Sequence, residues 1–295
     1  VGGADTDWLD YSAETGAVTV TLASRATLAG GNDSLSGFEA LITGSGNDTI
    51  TGTSSSETIQ AGLGHDTVIT STGNDWVDLG AGNDSILLST GAGNHTVIGG
   101  AGNDSIENSN TGNNSILGGE GADSLLNTPN VANNDTIIEA DDGSSGNDIY
   151  AVGAGRDSVF GGGGDDSLSG TGNDTFIGGT GNDTLNIGAN GGDNSLVGGE
   201  GDDRIILAAS GANTIIGGNG SDFYSLNSGN ETVIESITDD AGNDTISTGS
   251  GGDWAEGALG ADSLYNNNGN DTLLGGDGDD RFLVTAGNNS LLGGN

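Results

Sequence analysis

Aspartates recur along this sequence at a spacing that suits the binding of hard cations. One set, which we call the strict series, is aspartate at every position and recurs at intervals of 17 to 25 residues. A glycine stands two residues before each member, as in Gly102-Asn103-Asp104. Calcium prefers carboxylates and the backbone carbonyls of tight turns, and glycine lets a turn approach its ligand closely. We therefore predict these calcium ligands: Asp48, Asp66, Asp84, Asp104, Asp123, Asp148, Asp166, Asp183, Asp203, Asp222, Asp244, Asp262 and Asp280.

A second set, the relaxed series, falls about midway between members of the first and is mixed in residue type. Asparagine is a neutral and weaker ligand than aspartate, so we expect less calcium along this series. Where its aspartates follow one another, calcium binding and a simple turn role both stay open. The aspartates of the series, which we add as candidate ligands, are Asp75, Asp135, Asp157, Asp174, Asp253 and Asp271. The other members are Glu57, His95, Asn114, Asn194, Asn213, Glu231 and Asn289.

Other chemistries find little support in the sequence. His65 and His95 are metal ligands by residue type, but each stands at a variable turn position, so we expect solvated turn residues. The glycine run 161–164 superficially resembles a phosphate-binding loop, but no lysine and no helical pattern follow it. Paired carboxylates abound without a unique nucleophile or base, so we expect no catalytic site and no enzyme activity in this segment.

Charge and composition favour a cation-bound repeat protein. The 295 residues carry 43 acidic side chains against four basic ones, a net charge of -39, with no cysteine. Neighbouring aspartates about 4.8 Å apart would repel each other by roughly 0.9 kcal/mol in water and more inside a protein. Cations must offset this repulsion, while nucleic acid and anionic membranes are excluded as natural partners. No apolar run approaches the length of a transmembrane segment.

Apolar residues follow the aspartates in a β-strand pattern. The second residue after nearly every series member is a β-former, as at Ile106, Leu185 and Ile116. Alternation points this residue into a narrow core and its neighbours outwards. Glycine spacing excludes helices. The sequence therefore predicts an all-β fold, a parallel β-roll or β-solenoid of about 13 two-strand coils with one aspartate series along each edge.

The sequence divides into a short N-terminal segment and a long repeat region. Residues 1–42 are predicted to form an N-terminal capping segment, in which Val18, Val20 and Leu22 alternate as a strand. Residues 43–295 are predicted to form the roll, with an internal duplication of about 98 residues at roughly 75–173 and 174–270. Thr136-Ile137-Ile138-Glu139 recurs as Thr232-Val233-Ile234-Glu235 within two matching insertions. The chain begins at Val1 and stops mid-repeat, as expected of a segment of a longer protein.

The repeats resemble a known family. Gly99-Gly100-Ala101-Gly102-Asn103-Asp104-Ser105-Ile106 is similar to the nonapeptide GGxGxDxUx of the repeats-in-toxin (RTX) calcium-binding β-roll proteins, and residues 178–185, 198–205 and 275–282 are similarly complete. The resemblance spans about residues 43–295. It implies a parallel β-roll, type I secretion, an extracellular or cell-surface location, and multiple Ca²⁺ ions, roughly a dozen or more, between successive coils.

We expect a calcium-dependent structural module of a large secreted or cell-surface protein, such as a surface layer, an adhesin or an extracellular fibre. The alternatives are the secretion and folding module of a type I-secreted exoenzyme and, with less support, an ice-binding solenoid. Self-association into fibres or layers is expected if a file of outward apolar residues, the apolar stripe, is exposed; strand twist would instead tuck it into the core. The apolar stripe comprises Ile98, Leu117, Ile138, Phe160, Ile177, Val197, Ile216, Ile234, Leu274 and Leu292.

Overall fold

Short parallel strands separated by glycine-rich turns make up the computed structural model of this chain. It describes residues 5–28, 31–127, 132–139, 146–189, 192–235 and 242–295, and those residues contain no helix. Two compact units, Val1–Ile149 and Tyr150–Asn295, are distinguished by their internal contacts. The predicted all-β parallel β-roll is confirmed, with about 12 turns against the expected 13 coils. The boundaries predicted for the cap, the roll and the duplication stay a prediction.

The first unit contains strands of two to six residues. These strands are β1 (Trp8–Asp10), β2 (Thr19–Thr21), β3 (Arg25–Leu28), β4 (Gly31–Ser34), β5 (Ala40–Ile42), β6 (Thr49–Thr51), β7 (Thr58–Gln60), β8 (Thr67–Ile69), β9 (Trp76–Ala81), β10 (Ser85–Leu88), β11 (Thr96–Ala101), β12 (Ser105–Asn108), β13 (Ser115–Glu120), β14 (Ser124–Asn127), β15 (Ala132–Asn133) and β16 (Thr136–Ile138). Strand β17 (Ile149–Gly155) begins at the boundary between the units.

The second unit continues with strands of similar length. They are β18 (Ser158–Gly163), β19 (Ser167–Gly172), β20 (Thr175–Thr180), β21 (Thr184–Ile187), β22 (Ser195–Glu200), β23 (Arg204–Leu207), β24 (Thr214–Asn219), β25 (Phe223–Leu226), β26 (Ser228–Gly229), β27 (Thr232–Ile234), β28 (Thr245–Ser247), β29 (Ser250–Gly251), β30 (Trp254–Glu256), β31 (Ser263–Asn266), β32 (Asn268–Gly269), β33 (Thr272–Gly276), β34 (Arg281–Val284) and β35 (Ser290–Gly294).

Most described coils contribute one strand to each of two sheets, and the short strands β26, β29 and β32 pair in a third. Strands that follow strict-series aspartates pair in parallel with one another, for example β10 with β12 through Ile86 and Ile106. Strands that follow the relaxed series pair in the other sheet, as β20 does with β22 through Phe176 and Leu196. The residue after each aspartate therefore lies at the same position in every coil. This register stacks each series along one edge of its unit.

The core is the thin layer between the two sheets. Ile106 and Leu185, from strands after the strict series, are buried, as are Ile116 and Phe176 from the other sheet. Serine and threonine next to them along each strand mostly face solvent. Leu291, in the last coil, is 45% exposed. The predicted inward positions are therefore correct for the stacked coils, and each coil adds only a few apolar side chains to the core.

The turns depend on glycine because successive coils stack closely. Gly102 has a φ of 126°, in a region that residues other than glycine rarely adopt. A Cβ atom at Gly102 would overlap the carbonyl oxygen of Gly82 in the preceding coil. Many relaxed-series strands also extend into the turns, as where Gly100 and Gly119 pair in register. The turn backbone is thus part of the parallel ladder.

Residues near the N-terminus include an arrangement that the repeat pattern did not predict. Strand β2 pairs in parallel with β6, and Val18, Val20 and Leu22 are buried, in agreement with the expected strand. Strands β3 and β4 instead pair antiparallel, β3 with β2 and β4 with β3. Antiparallel neighbours need only short connections, so this segment folds back on itself instead of forming another coil.

Among the described residues no helix has the length and apolarity that a bilayer crossing requires.

Candidate metal centre

The strict-series aspartates form a hydrogen-bonded ladder from coil to coil. The Asp84 amide donates to Asp104 Oδ1 at 2.8 Å, and the Asp104 amide donates to Asp123 Oδ1 at 2.7 Å. In the second unit, the Asp183 amide donates to Asp203 Oδ1 and the Asp203 amide to Asp222 Oδ1, both at 2.7 Å. One carboxylate oxygen of each aspartate is therefore committed to the backbone of the coil before it. The same bond involves these further members: Asp48, Asp66, Asp148, Asp166, Asp244, Asp262 and Asp280.

The second carboxylate oxygen of these residues faces the gap between coils. In many strict-series aspartates, Oδ2 is buried and receives no hydrogen bond from the protein. An ionised oxygen buried without a partner costs several kcal/mol, roughly, unless another positive group offsets it. A file of such oxygens fits a file of cations. The aspartates with this feature include Asp48, Asp66, Asp84, Asp104, Asp123, Asp183, Asp203 and Asp280.

A backbone carbonyl lies beside the second oxygen in each gap. A Cβ atom added to Gly161 would lie 2.5 Å from Asp166 Oδ2 and 2.7 Å from the carbonyl oxygen of Gly178 in the next coil. Gly275 has the same surroundings, with Asp280 Oδ2 close by and the carbonyl oxygen of Gly293 at 2.7 Å from the added atom. The first glycine of the repeat thus keeps open a space where carboxylate and carbonyl oxygens converge. Both are oxygens that calcium prefers, so the residues present fit this ion.

The relaxed series builds the same ladder with other residue types. The Asp174 amide donates to Asn194 Oδ1 at 2.7 Å, and the Asn194 amide donates to Asn213 Oδ1 at 2.9 Å. Asparagine therefore serves the ladder as well as aspartate does. Because the ladder alone would accept asparagine, the uniform aspartate of the strict series needs another reason. Its second oxygen and its charge supply one, namely binding of a cation.

His95 corrects one expectation. We expected a solvated turn residue, but the side chain is only 1% exposed. Its Nδ1 lies 3.2 Å from Asp75 Oδ2, and its Nε2 lies 3.0 Å from the side-chain Nδ2 of Asn110. The imidazole replaces a relaxed-series aspartate within the stack, which is why it is buried. His65 is exposed as expected, and its Nδ1 accepts from the Asn83 amide at 2.7 Å.

Asp135 lies in a network of asparagine side chains. Its Oδ2 accepts hydrogen bonds from the side-chain amides of Asn108, Asn127 and Asn133 at 3.0, 3.1 and 2.8 Å. Its Oδ1 accepts from the Asn114 backbone amide at 2.8 Å. Protein donors therefore already satisfy both oxygens. This arrangement explains how the carboxylate is buried, and the ligand role suggested for Asp135 stays a prediction.

The remaining relaxed-series carboxylates occupy the ladder in their own coils. Glu57 Oε2, Asp174 Oδ2 and Glu231 Oε2 are buried and receive no hydrogen bond from the protein. Burial raises the pKa of Glu57 to about 7 and that of Glu231 to about 8. Isolated cation positions along this edge therefore stay a prediction. The ladder also includes these candidates: Asp75, Asp157, Asp253 and Asp271.

Burial perturbs the acidity of the strict series. It raises the pKa of Asp104 and Asp183 to about 6, of Asp66 and Asp123 to about 7, and of Asp203 to about 8. The hydrogen bond from the preceding coil's amide lowers each pKa in part, and neighbouring carboxylates raise it again. Without metal, the fold therefore favours protonated carboxyls. Calcium binding must displace those protons.

Two buried glutamates join the strict series at places the sequence reasoning did not assign. Glu139 lies with Asp123 and Asp148, and Glu235 lies with Asp222 and Asp244; in each group one carboxylate oxygen per residue lies within 4.8 Å of the others. The signal that pointed to them was the recurrence of Thr136–Glu139 as Thr232–Glu235. That recurrence indicated a duplication, but not a chemical role.

Comparison with protein families supports calcium binding by these repeats. The family model "RTX calcium-binding nonapeptide repeat (4 copies)" matches more than half of the chain. A search of curated proteins found no similar protein. The matched residues are 33–68, 51–86, 87–107, 108–126, 142–172, 188–209, 205–233, 238–273 and 274–295.

The raised pKa values predict how stability depends on pH in the absence of metal. An unfolded aspartate titrates near pH 4, roughly, so a folded-state pKa of about 6 to 8 favours the fold only while the carboxyls are protonated. This contribution is complete below about pH 4 and is lost as the pH rises through 6 to 8. We expect the metal-free protein to be more stable to urea at pH 4 than at pH 8. Equal or greater stability at pH 8 would show that burial does not raise the pKa values of these carboxyls.

The substitution Asp203→Asn tests the roles of the two carboxylate oxygens separately. The variant keeps the acceptor for the Asp183 amide but loses the charge and the second oxygen. We expect the calcium-saturated protein at pH 7.5 to lose about 3 kcal/mol of unfolding free energy, and the metal-free protein at pH 4, where the raised pKa of Asp203 keeps its carboxyl protonated, to lose none. Asp202→Asn is the control, because exposed Asp202 also accepts a backbone amide, that of Ser221 at 2.8 Å. Denaturant unfolding with and without calcium measures both, and equal effects of the two changes would refute the site.

Proposed function

The chain belongs to the RTX calcium-binding nonapeptide repeat family, and we propose that it is a calcium-dependent structural module of a large secreted or cell-surface protein. Calcium binding is the general property of these repeats. The finer role that we propose is that of a segment of a surface layer, an adhesin or an extracellular fibre. In this role the repeat region supplies length and rigidity instead of catalysis.

One observation carries the proposal, namely the file of buried strict-series oxygens without protein donors. The thin core gives each coil few apolar contacts to offset the entropy of ordering its turns. Ionised Oδ2 atoms add repulsion between coils, and the chain has four basic side chains against 43 acidic ones to offset it. Calcium would supply the missing positive charge in each gap. The aspartates would hold it with Oδ2, and the turn glycines would admit it with their carbonyls.

An extracellular setting suits such a module. Calcium sites in extracellular modules work at about 0.1 to 1 mM ion, so a chain with many moderate sites would stay open where calcium is scarce and fold where it is abundant. We propose type I export and a location outside the cell or on its surface on this ground and on the family membership. The large negative charge suits a chain that must remain open and soluble until then.

The apolar stripe supports self-association as part of this function. Within the second unit, Ile177 pairs in register with Val197, Val197 with Ile216, and Ile216 with Ile234. Ile177 is 36% exposed, and the other three are half-buried. The stripe therefore faces outwards and is not part of the core. Glu256 interrupts it one coil further on, where it pairs with Ile234.

The repetitive distribution of the carboxylates supports a role without catalysis. The strict-series aspartates repeat one backbone ladder from coil to coil, whereas an active site needs one unique arrangement of acid, base or nucleophile. We therefore propose that this segment is not an enzyme, whatever domains accompany it in a longer chain.

Removal of calcium should unfold the protein at neutral pH. We expect the β-sheet signal in circular dichroism at pH 7.5 to collapse when calcium is chelated, because the buried carboxylates then repel one another. Adding calcium back should restore it, while magnesium at the same concentration should not, since magnesium dehydrates reluctantly and demands octahedral geometry. A β-sheet spectrum and a melting temperature that survive complete calcium removal would contradict the proposed function.

Self-association should depend on the apolar stripe. The triple variant Ile177→Ser, Val197→Ser and Ile216→Ser removes apolar area that is worth ~25 cal/mol per Å² when buried. We expect it to stay monomeric at calcium concentrations where the unchanged protein assembles, as measured by sedimentation velocity. Leu283→Ser is the control, because Leu283 is 48% exposed but lies on β34, in the other sheet. Assembly of the triple variant with unchanged affinity, while circular dichroism shows it folded, would exclude the stripe.

A further inference from the structure

Glu139 stands where most other coils have glycine. Four residues after a relaxed-series member the chain usually has the first glycine of the repeat, as with Asn114 and Gly118 or Asp174 and Gly178. Four residues after Asp135 stands Glu139 instead. The first-place glycines keep open the gap between strict-series aspartates, as Gly161 and Gly178 do beside Asp166 Oδ2. At Glu139 a third carboxylate therefore enters that gap.

The geometry around Glu139 brings three acidic groups together. Its side chain is 3% exposed, and its Oε2 accepts a hydrogen bond from the Gly119 amide at 3.0 Å. Asp148 Oδ1 accepts the Asp123 amide at 2.6 Å, which fixes these two carboxylates in the ladder. One oxygen from each of Asp123, Glu139 and Asp148 lies within 4.8 Å of the others. Three carboxylates share one buried gap.

A further observation at the same place points to a ligand. Asp123 is 2% exposed, and its Oδ2 is buried without any hydrogen bond from the protein. The two other members of the cluster, Glu139 and Asp148, are also acidic. A buried carboxylate oxygen without a donor, beside two further acidic groups, calls for a positive charge at that point.

We propose that Asp123, Glu139 and Asp148 form a calcium site with three carboxylates, which binds the ion more tightly than the ordinary gaps with two. Calcium affinity in protein sites rises with the number of charged ligands. The other unit repeats the set as Asp222, Glu235 and Asp244, again with oxygens within 4.8 Å of one another, and the proposal extends to it through this repetition. The two insertion-bearing coils are then the first to load, one in each unit.

This inference rests on the proposed function, because it needs the strict series to bind calcium at all. It adds that binding is uneven along the chain. Without the glutamates, all gaps would be alike and calcium would fill them over one narrow concentration range. With them, two ions bind before the rest. Titration of the full chain with calcium alone, in calcium-buffered solution at pH 7.5, distinguishes these cases.

The matched variants are Glu139→Gln and Glu235→Gln, which keep the shape of the side chain and remove its charge. The unchanged chain should show two tight equivalents of calcium, each single variant one, and the double variant none, with the affinity of each lost site weaker by about tenfold or more. Glu120→Gln and Glu200→Gln are controls, since both side chains are exposed. They should retain both tight equivalents.

A second pair of variants guards against misfolding. Glu139→Gly and Glu235→Gly install the residue that most other coils have at this place, so they should fold in saturating calcium and lose the same tight equivalents. Terbium gives an independent signal in the second unit, because the Tyr224 hydroxyl lies 3.4 Å from Asp222 Oδ2. Because Tyr150 follows Asp148 as Tyr224 follows Asp222, this signal is measured in a Tyr150→Phe background. Terbium luminescence excited through tyrosine should then appear with the first equivalents and be lost in Tyr224→Phe and in Glu235→Gln.

The outcomes separate the two levels of the argument. Two tight equivalents that persist in the glutamine and glycine double variants, or a single uniform binding phase in the unchanged chain, would overturn the three-carboxylate sites while leaving calcium-dependent folding in place. An unchanged chain that binds no calcium would overturn the proposed function itself. Loss of the tight equivalents from the double variants, with the later equivalents intact, would support the inference.

Discussion

This structure depends on the different roles of the two oxygens of the strict-series carboxylates. Oδ1 accepts the backbone amide of the preceding coil, as Asp104 does for Asp84 at 2.8 Å, and so holds adjacent coils in register. In many of these aspartates, such as Asp104 and Asp203, Oδ2 is buried without a protein donor. The first bond makes the stack specific, while the second oxygen makes it unstable by itself. We therefore propose that the fold needs bound cations at these oxygens.

Glycine and the thin core follow from the same constraint. The carbonyls that meet Oδ2 are within reach only if the turns stack closely, and a Cβ at Gly102 would overlap the Gly82 carbonyl. Close stacking leaves room for one inward apolar side chain, or a few, from each strand, as at Ile106 and Ile116. Such a core gives little stability per coil. We therefore propose that ion binding and folding are coupled, which would be the physical basis for a module that responds to calcium.

The two edges show what each requirement demands of the sequence. Along the relaxed series a single acceptor is enough, and it is supplied by Asn194, by Asn213 and even by the ring of His95, whose Nδ1 accepts from the Asp75 amide. Along the strict series the second oxygen is also needed, and every member is aspartate. Departures from these two patterns mark special places. The glutamate that replaces a first-place glycine at Glu139 is one of them, and the asparagine network around Asp135 is another.

The sequence by itself determined the coil period, the parallel β-roll, the inward residues and the strict edge, because each coil repeats the same local pattern and an error in one coil is corrected by the others. Only the tertiary structure decided the burial of His95, the saturation of Asp135 by three asparagines, the antiparallel strands β3 and β4, and the meeting of Glu139 with Asp123 and Asp148. Each of these depends on which side chains the neighbouring coil brings within hydrogen-bond distance. Spacing along the chain predicts that a neighbour is present, but the direction and reach of its side chain are set by the stacked backbone.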